Sequence, residues 1–134
     1  MFKNTQVLVI DSDENILWAF KNFLLKNRMK MTGITTHEEA VYKLREGDYD
    51  LILTDIRSNI DLELQFIQQV KQIKKNIPII ALTSYPDIIN SNMLKPFGID
   101  YLFAKPLDLI KLQTAIFSCL QLSSPGKFNN HYLK

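Results

Sequence analysis

Apolar residues along this chain follow two rhythms: short continuous runs, and stretches that repeat every three to four positions. Residues 6–10 form a run of the first kind, as a strand buried on both faces would. Ile16, Leu17, Phe20, Phe23 and Leu24 then fall at helical spacing to about Lys26, with Ser12 or Asp13 placed to cap the helix. Residues 31–35 predict a second strand. Thr36-His37-Glu38-Glu39 has a capping-box pattern and opens a helix to about Glu46, with Ala40, Val41 and Leu44 inward and Gly47 at its end. Residues 50–54 read as a third strand. After a loop of about six residues comes a helix over 62–75, whose stripe is Leu64, Phe66, Ile67, Val70 and Ile73. Asn76-Ile77-Pro78 turns the chain into a fourth strand at 79–82. A short helix over 87–94 is stopped by Pro96, and Gly98 completes the turn into a fifth strand at 101–103. The last helix spans 107–122 with Leu109, Leu112, Ile116, Cys119 and Leu120 inward. Ser123-Ser124-Pro125-Gly126 breaks it, and 127–134 is polar.

Strands alternating with helices predict an α/β fold, a doubly wound five-stranded parallel sheet of flavodoxin-like (βα)5 type in the order 2-1-3-4-5. One domain over residues 1–122 is expected, with 123–134 as a tail, or as the start of a linker if the chain is a piece of a longer protein. The 134 residues suffice for one core. Sixteen basic and 14 acidic residues leave a net charge of +2, too balanced to predict contact with nucleic acid or a membrane surface. Cys119 is the only cysteine, so an internal disulfide is excluded and the thiol reads as core filler. His37 and His131 are far apart in sequence and from any cysteine, which argues against zinc. No signal peptide and no membrane-spanning run is read from the sequence, so a cytoplasmic protein is expected.

The chemistry lies at the strand ends. Val7-Leu8-Val9-Ile10 ends in Asp11, Leu51-Ile52-Leu53-Thr54 in Asp55, Ile79-Ile80-Ala81-Leu82 in Thr83, and Tyr101-Leu102-Phe103-Ala104 in Lys105. In an open parallel sheet these ends share one edge, where ligands bind. Singly, each has a plain reading: a helix cap for Asp11, a loop carboxylate for Asp55, a β-branched strand residue for Thr83, a solvated lysine for Lys105. Asp11-Ser12-Asp13-Glu14 stands where a dinucleotide fold would carry glycines, and acids there repel phosphate unless a cation intervenes.

These pieces, with Ile56-Arg57 after Asp55, Ser84-Tyr85 after Thr83 and Pro106 after Lys105, resemble the receiver domain of two-component response regulators over residues 6–122. The resemblance implies that Asp55 is a phosphoacceptor, served by a phosphohistidine on a sensor histidine kinase or a histidine phosphotransfer protein. It implies Mg2+ held by Asp11, Asp55 and the Arg57 backbone carbonyl, with Lys105 and Thr83 on the phosphoryl oxygens and a cis peptide before Pro106. Aspartate can form an acyl phosphate once its charge is offset. The protein is then not an enzyme beyond its own phosphorylation and dephosphorylation. The rival reading is a pseudo-receiver, an interaction module that works without phosphorylation.

Three features depart from the family. Ser12 replaces an acid that ligates magnesium, so Asp13 or Ser12 is left to complete the site and weaker Mg2+ binding is expected. The loop 57–63 lacks the family's proline and glycine, which predicts a looser connection. Leu102 occupies the switch-aromatic position, while Phe103 reads as core. Ile110 and Phe117, seven residues apart on the last helix, are expected together on the face of the fourth helix, fifth strand and last helix, as a homodimer or partner contact unless Phe128 and Tyr132 of the tail cover them. Trp18 and Leu25 lie off the inner stripe of the first helix, where a kinase or phosphotransfer protein docks in the family.

Overall fold

The computed structural model describes residues 4–122. The elements are β1 (Gln6–Ile10), α1 (Glu14–Lys26), β2 (Lys30–Ile34), α2 (His37–Glu46), β3 (Leu51–Asp55), α3 (Ile60–Ile73), β4 (Ile79–Thr83), α4 (Ser91–Leu94), β5 (Tyr101–Ala104) and α5 (Leu109–Leu122). The strands form one parallel sheet in the order β2-β1-β3-β4-β5. Side chains alternate across a strand, so each run feeds two cores. Leu8, Ile10, Ile52, Ile79 and Ala81 pack with α2, α3 and α4 on one face. Val7, Val9, Leu51, Leu53, Ile80 and Leu82 pack with α1 and α5 on the other.

The helix boundaries depart from the apolar pattern where polar side chains cap. α3 begins at Ile60, two residues before the expected start, because Asn59 Oδ1 accepts the Leu62 N–H. α4 is a single turn: Asn90 caps it at Met93, and Pro96 falls inside a 3-10 turn (Lys95–Phe97). Residues 87–90 do not join it, since the N–H groups of Ile88 and Ile89 are taken by Tyr85 O in a separate turn. Gly98 closes the segment at φ 87, and a Cβ there would meet Lys71 Cε at 2.7 Å. α5 starts at Leu109, with Asp108 Oδ1 accepting from Ile110 and Lys111. Leu109 therefore sits in an exposed first turn, 51% accessible, instead of in the core stripe expected of it.

Cys119 is buried on α5 as expected, and burial, aided by the Asp100 charge, pushes its thiol up to about 12. The folded state thus keeps a proton that the unfolded chain releases near pH 9. Stability is fully present below that pH and falls as pH rises to about 12, by about 4 kcal/mol. Cys119→Ala should flatten this fall. In urea unfolding at pH 7.5 and at pH 11, the wild-type advantage over the variant should shrink or invert. A gap equal at both pH values would refute the assignment.

Candidate active site

The sheet order carries the ends of β1, β3, β4 and β5 to one edge. Ile10 pairs with Thr54, Asp55 with Leu82, and Thr83 with Ala104, so the residues after each strand emerge in a row. Backbone bonds continue the ladder past the strands, from Lys105 N to Thr83 O at 2.8 Å and from Ile56 N to Leu82 O at 2.7 Å. Asp11, Asp55 and Lys105 are thereby brought together. Lys105 Nζ lies 2.9 Å from Asp11 Oδ2 and 3.3 Å from Asp55 Oδ1. The Lys105–Pro106 peptide is cis.

Asp11 is 2% exposed, and its Oδ1 accepts the Asp13 N–H at 2.9 Å. Burial raises the Asp55 carboxyl above its ordinary range; the Lys105 charge opposes this and the Asp11 charge reinforces it. Burial alone would lower Lys105, but its hydrogen bond to Asp11 and the charges of Asp55 and Asp11 hold it above the usual lysine range. Thr83 is buried at the same edge. Its Oγ1 accepts the Tyr85 N–H at 2.9 Å, which leaves the hydroxyl proton available to donate.

Asp13 and Ser12 separate cleanly. Asp13 caps α1, its side chain accepting from Asn15 N at 2.9 Å. Ser12 instead lines a cavity of about 540 Å³ together with Asp11, Asp55 and Arg57. The donors on offer to a cation are two carboxylates, a hydroxyl and the Arg57 carbonyl, an all-oxygen set that suits magnesium. Among the described residues no group of three or more His, Cys, Asp or Glu side chains is arranged to hold a metal. The residues therefore fit Mg2+ in kind, with one acid fewer than a full complement.

Two residues near the site were not singled out from the sequence. Glu63 is 4% exposed on α3 and its Oε2 accepts the Arg57 N–H at 3.1 Å. His37 Nε2 stands 3.1 Å from Glu63 Oε1 without an aligned hydrogen bond, and its ring stacks on Phe66 at 4.1 Å. The signal was present: position 63 belongs to the stripe 63-66-67-70, and a carboxylate on that stripe must find partners. The loop lacking proline and glycine is thus tied at Arg57 by Glu63, and at Ile60 by a bond to Ser58 O. Arg57 also brings its own charge, with Nε 3.8 Å from Asp55 Oδ2.

Leu102 is half-buried against the α2, α3 and α4 core, while Phe103 packs on the opposite face beside Tyr101. Trp18 and Ile110 are exposed at 69% and 76%. Phe117 shares the helical angle of Ile110 but not its exposure. It is half-buried against Phe23, Leu24 and Asn27, because the second half of α5 runs along α1, where Gln113 Nε2 donates to Asn27 Oδ1 at 2.6 Å. Phe128 and Tyr132 lie outside the described residues. Among the described residues no helix is long and apolar enough to cross a membrane.

Residues 7–117 match the family described as the response regulator receiver domain. The transcriptional regulatory protein ZraR of Klebsiella oxytoca is 28% identical over 88% of this chain and 27% of its own length. The chain spans about a quarter to a half of the curated relatives it matches. The response regulator TrrA of Thermotoga maritima, solved in complex with Mg(2+)-BeF, is 26% identical with a TM-score of 0.75, covering 87% of this chain and 99% of that one. A CheY-like receiver domain protein from Methanospirillum hungatei shares the fold at a TM-score of 0.78 and 22% identity, over 88% of this chain and 94% of that one.

Proposed function

This chain belongs to the response regulator receiver domain family, and from that premise we propose that Asp55 accepts a phosphoryl group from a phosphohistidine of a sensor histidine kinase or phosphotransfer protein. The observation that carries the reading is the triad at the sheet edge, in which Lys105 bridges Asp11 and Asp55. An Asp55 oxygen attacks phosphorus, the phosphorus–nitrogen bond of the donor breaks, and its electron pair leaves on the imidazole. Lys105 and the Thr83 hydroxyl take phosphoryl oxygens. Mg2+, held by Asp11, Asp55, the Arg57 carbonyl and the Ser12 side, would neutralise charge on the transferring group. The product signals through protein contacts.

The donor protein is expected to dock along α1. An apolar groove there runs from Ile16, Ala19 and Phe23 to Lys105, Pro106 and Leu107, directly beside the triad, and Trp18 stands exposed on the same helix. Ile110 and Leu109 are left exposed in the first turn of α5 for a second copy or an output partner. The test is incubation with phosphoramidate and Mg2+ followed by intact mass. One added phosphoryl group, removed by hydroxylamine as an acyl phosphate must be, is the expected result. No adduct at saturating donor would favour the pseudo-receiver instead.

A further inference from the structure

Glu63 shares the buried stripe of α3 with Phe66, Ile67 and Val70. A carboxylate taken out of water there is costly unless it is engaged. Its Oε2 accepts the Arg57 N–H at 3.1 Å. Its Oε1 has no hydrogen-bond partner and faces His37 Nε2 at 3.1 Å. The His37 ring is seated in turn on Phe66, at an interplanar angle of 3°. Asp11, Asp55, Glu38 and Glu63 all line the cavity that Arg57 and His37 share, so the site stays acidic on balance and attracts a divalent cation.

That attraction does not place the ligands. With serine at position 12, the oxygens on offer are the carboxylates of Asp11 and Asp55, the Ser12 hydroxyl and the Arg57 carbonyl. The carbonyl then carries a larger share of a small cation that demands near-octahedral oxygens. It lies in a loop, 57–63, with no proline to set the backbone. The peptides around it are held instead by hydrogen bonds: Ile56 N–H to Leu82 O at 2.7 Å, Arg57 N–H to Glu63, and Ile60 N–H to Ser58 O at 3.0 Å. The bond at Arg57 itself is the one that comes from a side chain.

We infer that Glu63 is a positioning residue for the metal-binding side of the phosphoacceptor site: by holding the Arg57 peptide it presents the Arg57 carbonyl to the divalent cation, and it does so as a hydrogen-bond acceptor, not through its charge. The inference rests on Asp55 as acceptor with Asp11, Asp55 and Arg57 as Mg2+ ligands. Groups that orient a metal ligand without touching the metal are worth about 10–100-fold in affinity.

The experiment compares Mg2+ titration by calorimetry in wild type, Glu63→Gln and Glu63→Met, alongside the rate of phosphoramidate labelling against Mg2+ concentration, read by intact mass. Glutamine keeps an acceptor oxygen and loses the charge. Methionine keeps the reach of the side chain on an apolar stripe and loses both, so it should fold, with a urea midpoint at or above that of wild type. Glu63→Gln should bind Mg2+ within about threefold of wild type, and Glu63→Met about tenfold or more weakly. In labelling, Glu63→Met should need about tenfold more Mg2+ for half-saturation, while its rate at saturating Mg2+ stays within about threefold of wild type. A fall in that saturating rate with half-saturation unmoved would mark a purely structural role and overturn the inference. Equal weakening in both variants would assign the effect to charge and overturn it too, as would wild-type affinity in Glu63→Met. No adduct in wild type at saturating Mg2+ removes the acceptor reading, with the calorimetric comparison still deciding the role of Glu63.

Discussion

Asp55→Asn should end phosphoryl incorporation while the protein stays folded. The amide keeps the size and shape of the side chain but supplies no anionic oxygen to attack phosphorus, so the adduct should fall about a thousandfold or more, below detection by intact mass. Folding should survive because the carboxylate is held at a cost: burial raises its pKa and Asp11 repels it. Lys105 keeps its 2.9 Å contact to Asp11. The urea midpoint should match or exceed that of wild type. Asp13→Asn is the matched control, since asparagine caps a helix as well as aspartate does and Asp13 is engaged as the α1 cap; it should label normally. An adduct that persists in Asp55→Asn would move the acceptor to another side chain.

Phe66→Ala should be the most damaging single change to the fold. Phe66 is 1% exposed, among the largest fully buried side chains, at the centre of the core between the sheet and α2 and α3. Removing it leaves a cavity that costs about 3–5 kcal/mol, a large share of the roughly 5–15 kcal/mol that holds a domain of this kind together. The change also strips the surface on which His37 stacks, and so loosens the α2–α3 contact beside Glu63. Phe66→Leu should cost much less by refilling part of the space. Chemical unfolding with unchanged slope and a shifted midpoint would measure both. A loss below about 1 kcal/mol for Phe66→Ala would show that this side of the core repacks freely.

The sequence was most legible where both faces of a strand are buried. Continuous apolar runs such as Val7–Ile10 have one plausible environment, and once they are parallel strands their order and the meeting of Asp11, Asp55, Thr83 and Lys105 follow from topology. Helix ends were less legible because they depend on which polar side chain captures the first amides; Asn59, Asn90 and Asp108 decided this against the apolar pattern. Phe117 and Ile110 share a helical angle but not a neighbour, since one lies further along α5 where α1 runs beside it. Glu63 is hard to read from the sequence because its carboxylate shares an otherwise apolar buried stripe with Phe66, Ile67 and Val70.

The strand order also bears on how the chain assembles during synthesis. β1 lies inside the sheet, and after β3 joins it each later strand adds to the edge left by the one before. Emergence of β3 therefore sets Asp55 beside Asp11, two acids side by side, while Lys105 is still to come. The cation that reconciles them arrives with β5, the final strand. A nascent or truncated chain ending before residue 105 would hold the two acids with Arg57 beside Asp55 but no cation bridging them, and docking of the last strand both completes the sheet and brings in the Lys105 bridge.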